Sequence, residues 1–236
     1  MVISHIPFAF PGLPRVRCVF TTRLAGNLAL NGTAEEDRGK AFDARNVLRT
    51  ELGLLGWTEL RQVHGDVFLC NPAATRDDAF DVQEADGQAT DMKNHALCVK
   101  TADCQPILLA HPKGCIAAIH AGWRGNVLEF PRTAVETFCS RYFLDPSEVR
   151  AVRGPSLGYA EFVNFDREWP KKFFPWYDPD NCCMDLWSLT RRQLIDAGLK
   201  ERNIHGLDFC TWSCNSLFFS HRRGDAGRQM GIIWRE

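Results

Sequence analysis

The chain has 236 residues, 45% hydrophobic and 24% charged, with a formal net charge of -1, a composition that supports a sizeable folded core. This near-neutral balance excludes a general nucleic-acid or membrane-surface binder, because no excess positive field exists to hold phosphates, and no run of about 18 apolar residues marks a membrane-spanning helix. Ten cysteines at irregular spacing, behind an N-terminal stretch interrupted by Pro7 and Pro11, predict reduced thiols in a cytoplasmic protein rather than a secreted disulfide scaffold.

In chain order, residues 15–22 place Val16, Cys18 and Phe20 on one face and read as a strand. Residues 27–40 are polar and glycine-containing, which predicts a long loop. Helical spacing over 44–52 ends at Gly53, a C-cap residue. Residues 66–70 read as a strand, followed by a loop rich in Asp, Ala and Pro. The runs 96–100, 107–110 and 115–119 are short and apolar, as in strands buried on both faces. Turn residues 111–114 join the last two into a hairpin. Over 127–143, Val127, Phe130, Val135 and Phe138 recur at helical spacing, with Pro131 either starting the regular helix or kinking it. Residues 149–152 predict a strand, 185–197 a helix closed by Gly198, and 211–220 a late strand or strand-loop. There is no internal repeat or linker. The mixture lacks the alternation of a doubly wound sheet and predicts a single α/β-mixed or α+β domain over residues 1–236.

Three segments hold metal-capable side chains next to turns: RQVHG with His64, TADCQP with Cys104 and HAGWRG with His120. Two imidazoles and a thiolate form a three-ligand set with a fourth position open, which suits a catalytic transition metal better than a closed structural one. Each residue alone has an ordinary alternative, a satisfied turn histidine or a buried thiol. Cys104 is a zinc ligand or a nucleophile with His64 or His120 as base. Gly122 and Gly125 flank Trp123 and Arg124 and let the backbone approach a ligand. If a helix starts there, its N–H groups and Arg124 form an anion site, although neither phosphate-loop glycine pattern is present. In an extended segment Gln62 points to the same side as His64. Cys18, Cys70, Cys98, Cys115 and Cys139 read as small buried hydrophobes. Cys182, Cys183, Cys210 and Cys214 make a poor closed zinc site, because adjacent cysteines rarely chelate one ion well. Arg222, Arg223 and Arg228 form a cation cluster suited to phosphate or carboxylate, or else a solvated basic tail.

Together with FTTR (20–23), EADGQAT (84–90), GPSLG (154–158), FCT (209–211) and FFSHRR (218–223), these segments resemble the laccase-domain, polyphenol-oxidase-like family of bacterial purine nucleoside phosphorylases over nearly the whole chain. The resemblance implies a four-layer α-β-β-α fold and one zinc held by His64, Cys104 and His120. It implies phosphorolysis of adenosine, inosine, guanosine and methylthioadenosine, together with adenosine deamination. An older laccase label and a role in editing peptidoglycan precursors attach to the family as well. The chain departs from the family pattern at Leu24-Ala25-Gly26-Asn27, Arg45-Asn46 and Ala160-Glu161-Phe162.

The leading expectation is therefore a zinc-dependent purine nucleoside enzyme whose partners are a nucleoside and phosphate. Arg23, Arg124 and Arg222 are the candidate phosphate contacts, with Gln62 also at the substrate. Asp103 either orients a ligand histidine or contacts the ribose, in a catalytic group with His64, Cys104 and His120. Zinc lowers the pKa of bound water to about 7, which suits deamination, although the usual H-x-E with P-C-x-x-C deaminase signature is absent. Two alternatives remain. One is a copper-dependent polyphenol oxidase, since His₂Cys also binds copper, although no His-x-His pair occurs among the seven histidines. The other is an amide hydrolase with Cys104 as nucleophile, acting on peptidoglycan precursors. Oligomeric state is not set by the sequence.

Overall fold

A computed structural model describes residues 4–30, 34–73 and 83–236. The chain opens with β1 (His5–Ala9) and β2 (Val16–Thr21), followed by helix α1 (Glu35–Leu52). Strands β3 (Trp57–Thr58), β4 (Phe68–Cys70), β5 (Gly87–Thr90), β6 (Ala96–Thr101), β7 (Gln105–Ala110) and β8 (Ile116–Ala121) come next. Helices α2 (Trp123–Val127) and α3 (Phe130–Tyr142) lead to β9 (Arg150–Arg153) and β10 (Tyr159–Glu161). The rest is α4 (Phe165–Glu168), β11 (Tyr177–Asp178), β12 (Cys183–Asp185), α5 (Leu186–Asp196), β13 (Ile204–Gly206) and β14 (Gln229–Arg235).

Two mixed sheets carry the fold. One has the order β1-β2-β14-β6-β3, the other β13-β9-β7-β8-β5-β4, and a small antiparallel sheet, β10-β12-β11, stands beside them. Three cores show how they stack. Phe20, Leu97, Val99 and Ile233 of the first sheet meet Leu108, Ile116, Ala118 and Val152 of the second. The far face of the first sheet, with Val19, Cys98, Met230 and Ile232, packs on Leu48 of α1. The far face of the second, with Ile107, Leu109, Ala117 and Ile119, packs on Phe130, Val135 and Phe138 of α3 and Leu194 of α5. The result is the α-β-β-α layering of an α+β fold. Strands with both faces covered must be apolar throughout, which is why 96–100, 107–110 and 115–119 show no polar alternation.

The hairpin of β7 and β8 forms in the register Ile107↔Ile119 and Leu109↔Ala117. Gly53 takes the left-handed conformation, φ 67°, and its N–H closes on the carbonyls of Arg49 and Thr50. Asp185 caps α5 by accepting from Ser188 N, and Gly198 follows that helix at φ 97°. Pro131 lies in the first turn of α3, so it starts that helix; α2 is a separate short helix, and Glu129 at φ 57° caps α3 where the two meet.

Two expectations are corrected and one strand is added. Residues 35–40 are helical, not loop: Glu35, Glu36 and Asp37 occupy the first turn of α1, where acidic side chains complement the helix dipole. Residues 211–220 form turns, and the late strand is β14, between β2 and β6 at the centre of its sheet. β1 pairs with β2 although no reading of the sequence marked it. Most of the loop expected after Cys70 lies outside the described residues. Among the described residues no helix is long and apolar enough to cross a membrane.

Candidate metal centre and its cavity

The three donor residues come from separate chain segments and meet at the ends of the second sheet's strands. Cys104 lies in the turn between β6 and β7, and His120 is the penultimate residue of β8. His64 sits in the segment between β3 and β4 with φ 61°, a left-handed turn conformation. Their ligand atoms all lie within 4.8 Å of one another. The His64 and His120 rings meet edge to face with centroids 4.8 Å apart.

What holds the two histidines is Asp86, the residue before β5, itself 0% exposed. Its carboxylate accepts from the backbone N–H groups of Val63 at 3.2 Å, His64 at 3.0 Å and Gly65 at 2.7 Å. It also takes the His120 ring at Nδ1, 2.7 Å away. Burial pushes the Asp86 carboxyl up, but the His120 hydrogen bond and charge, with the Gly65 and Val63 amides, hold it below the usual carboxylate range. An ionised carboxylate only accepts, so Nδ1 carries the hydrogen and Nε2 is left as the donor atom. One side chain thus shapes the His64 turn and fixes the His120 tautomer.

Burial also acts to raise the Cys104 thiol, but the His120 charge and hydrogen bonds from His120 and His64 outweigh it and bring the pKa down to about 6. Burial opposes charging of His120, yet Cys104 and Asp86 lift it to about 9. Without a cation the pair is therefore a thiolate beside an imidazolium. A metal ion replaces that proton charge directly, and a thiolate with two imidazoles fits a transition metal of borderline or soft character. The backbone leaves room for this: a Cβ on Gly122, the residue before α2, would stand 2.9 Å from Cys104 Sγ and 3.2 Å from His64 Cδ2. Gly122→Ala is accordingly expected to weaken metal binding about tenfold, measured by chelator competition, because both ligands must move.

The triad sits in the wall of a cavity of about 940 Å³, which also includes Trp123, Arg124, Leu157, Phe162, Lys100 and Arg222. Arg124 lies over the Trp123 ring, 4.6 Å from its centroid. Arg222 donates to the Glu161 carbonyl at 3.2 Å and stands 5.8 Å from the Phe162 ring centre. Gln62 reaches the cavity too, but its amide clips β6, donating to the Lys100 carbonyl at 2.7 Å and accepting from Lys100 N at 2.8 Å. The turn at His64 replaces the extended geometry that would have set Gln62 and His64 side by side.

Arg23 is not among the cavity residues. Its guanidinium donates to the Asn215 carbonyl, stands 3.9 Å from Asp225 and lies over Phe219. Asp103 touches neither histidine among its hydrogen bonds. Its oxygens accept from Thr211 Oγ1 and from the Arg222 backbone N–H, each at 2.7 Å, and the carboxylate that orients a ligand histidine is Asp86. Arg223 and Arg228 are not a solvated tail. Arg223 donates to the carbonyls of Thr211, Trp212 and Phe218, and Arg228 to those of Asp225, Ala226 and Gly227. Cys18, Cys98, Cys115 and Cys139 are buried, whereas Cys70 is only half-buried. Asp86 lies inside the EADGQAT segment, but no local rule points from it to a histidine 34 positions away.

Residues 17–236 match the profile of a family described as multi-copper polyphenol oxidoreductase laccase. The purine nucleoside phosphorylase YlmD of Geobacillus stearothermophilus is 32% identical over 197 residues, 76% of this chain and 72% of that protein. A purine nucleoside phosphorylase of Xylella fastidiosa is 35% identical over 191 residues, 74% of this chain and 70% of that one. The crystal structure of the Bacillus licheniformis hypothetical protein YfiH superposes with a TM-score of 0.84 at 25% identity, covering 99% of this chain and 97% of that chain.

Proposed function

The chain belongs to the multi-copper polyphenol oxidoreductase laccase family, and we propose that it is a zinc-dependent purine nucleoside phosphorylase that also deaminates adenosine. Its substrates are adenosine, inosine, guanosine or methylthioadenosine, with phosphate as co-substrate. It works as one domain over residues 1–236 in the cytoplasm. The observation that carries this reading is the Asp86-supported set of His64, Cys104 and His120 opening on a cavity whose lining also includes five arginines, Arg124 and Arg222 among them, and an aromatic wall.

His64, Cys104 and His120 would hold the zinc, which supplies a Lewis acid at the cavity wall when bound. The donor count argues against a multicopper centre: this is the only group of three metal-capable side chains among the described residues, whereas a multicopper centre needs several histidine pairs. Arg124 and Arg222 present guanidinium donors, whose fork matches a phosphate oxygen pair. Trp123 and Phe162 offer rings against which a purine can lie. Asp86 keeps the proton on His120 Nδ1, and the Gln62 clip keeps the 61–65 turn docked on β6. Neither holding residue needs to touch substrate to matter.

A second reading rests on one specific observation, Cys104 Sγ within 4.8 Å of a ring nitrogen of both His64 and His120, where, against burial, the charge and hydrogen bond of His120 favour the thiolate. That is the ground state of a cysteine nucleophile, as in an amide hydrolase acting on peptidoglycan precursors.

Incubation with adenosine, with and without phosphate, followed by product identification separates these readings. Adenine or hypoxanthine formed only with phosphate is the expected result, and inosine without phosphate marks deamination. Loss of turnover after chelation, with recovery on adding zinc, is expected. Activity on an amide that survives exhaustive chelation would favour the hydrolase, and failure to convert any purine nucleoside would remove the phosphorylase reading.

A further inference from the structure

Asp103 has the geometry of a pin. It adopts φ 89°, a conformation that side chains other than glycine's take up reluctantly and that persists only where surrounding bonds over-determine it. Those bonds are present. The Asp103 carbonyl accepts from Leu157 N at 2.8 Å. One carboxylate oxygen accepts from Thr211 Oγ1 at 2.7 Å, and the other accepts from Arg222 N at 2.7 Å. Both oxygens are thus engaged in short, charge-assisted bonds spanning 108 and 119 positions of sequence.

The segment it grips is internally braced. Arg223 ties the carbonyls of Thr211, Trp212 and Phe218 together at 2.9, 2.8 and 2.7 Å. Ser156 N donates to the Phe209 carbonyl at 3.1 Å, and Thr211 N to the Ser156 carbonyl at 3.2 Å. Residues 209–223 are therefore laced to themselves and to the 156–157 turn, and Asp103 joins that unit to the turn bearing Cys104. The cavity side chains that this unit supplies are His221 and Arg222, and Arg222 is the one whose backbone N–H Asp103 holds.

We infer that Asp103 is a positioning residue: its carboxylate pins the 209–223 segment so that the Arg222 guanidinium stands over the cavity, and this sets the affinity for the phosphate co-substrate. The inference rests on the proposed phosphorylase function for its kinetic readout. A carboxylate with both oxygens committed to the protein is poorly placed to contact ribose as well.

The test is a double-mutant cycle on the metal-loaded enzyme, with phosphate varied at saturating nucleoside. Arg222→Gln should raise the phosphate KM by roughly tenfold or more, as loss of a charge-assisted contact does. Asp103→Asn should raise it about tenfold as well, with nucleoside KM and metal content held within about twofold. The double variant should match Arg222→Gln alone, because Asp103 acts through Arg222. Thr211→Val, which removes one of the two bonds from the far side, should move phosphate KM in the same direction by less. If Asp103→Asn lowers kcat equally with and without Arg222, Asp103 acts on the reacting atoms and the inference fails. An unchanged phosphate KM also overturns it. If the wild type converts no nucleoside, the functional reading falls by itself. Amide exchange of residues 209–223 then decides: faster exchange in Asp103→Asn supports the pin, and unchanged exchange refutes it.

Discussion

Asp86→Ala is expected to lower metal affinity by about 100-fold, the upper end of what loss of a single supporting carboxylate does. The size follows from its double duty. It holds the His120 ring at Nδ1 and also receives three successive backbone N–H groups of the His64 turn. Removing it frees one ligand ring to rotate and lets the turn that presents the other relax. Asp86→Asn separates the two duties. The amide oxygen still accepts from part of the turn, but the amide nitrogen can donate to His120 Nδ1. That moves the ring proton to Nε2, where it competes with the metal. Both variants should bind less metal than the wild type in competition with a graded chelator. The metal-free Asp86→Ala protein should also lose about 1–2 kcal/mol of stability in urea, since the buried His120 ring loses its acceptor while the turn amides can turn to water. Equal metal retention by wild type and Asp86→Ala would refute the assignment.

Glu59→Gln is expected to destabilise the fold by about 3–5 kcal/mol at neutral pH, the cost of removing one partner from a buried ion cluster. Glu59 is buried between Arg45, whose Nη2 lies 2.7 Å from its carboxylate, and Lys100, which contacts its other oxygen. The cluster ties α1 to β6 behind the cavity wall. Without the carboxylate, two cations face each other in a poorly solvated site. Burial acts to push the Glu59 carboxyl up, but the charges and hydrogen bonds of Lys100 and Arg45 hold it below the usual range. The folded pKa is thus depressed. The contribution is fully present above the unfolded value of about 4.3 and is lost as pH falls through the lower folded value. Urea unfolding of metal-free wild type and Glu59→Gln should therefore differ by the full amount at pH 7, and the gap should shrink below about pH 4. A gap that stays constant down to pH 3 would show that the charge is not the cause.

Both residues show where reading the chain in one dimension stops. His64, Cys104 and His120 were legible because each stands beside a turn with glycine or proline near it, and because their types together make a ligand set. The β7–β8 hairpin and the Gly53 cap were legible for a similar reason, since turn chemistry and apolar runs act over a few residues. The start of α1 was misread because its first turns are polar, and only the acidic complement to the helix dipole marks them. β14 was missed because its place between β2 and β6 depends on partners more than a hundred positions away.

By itself, then, the sequence determined the β7–β8 hairpin, the capped helix ends, the metal-capable donors and the family, since these are written in residue types and short spacings. Only the tertiary structure decided what supports the site. It set Asp86 rather than Asp103 behind His120, turned Gln62 into a backbone clip, and removed Arg23 from the cavity while keeping Arg124 and Arg222 in it. The physical reason is that a hydrogen bond or ion pair depends on distance and direction in space, and the strand order of the two sheets, not the spacing along the chain, sets both.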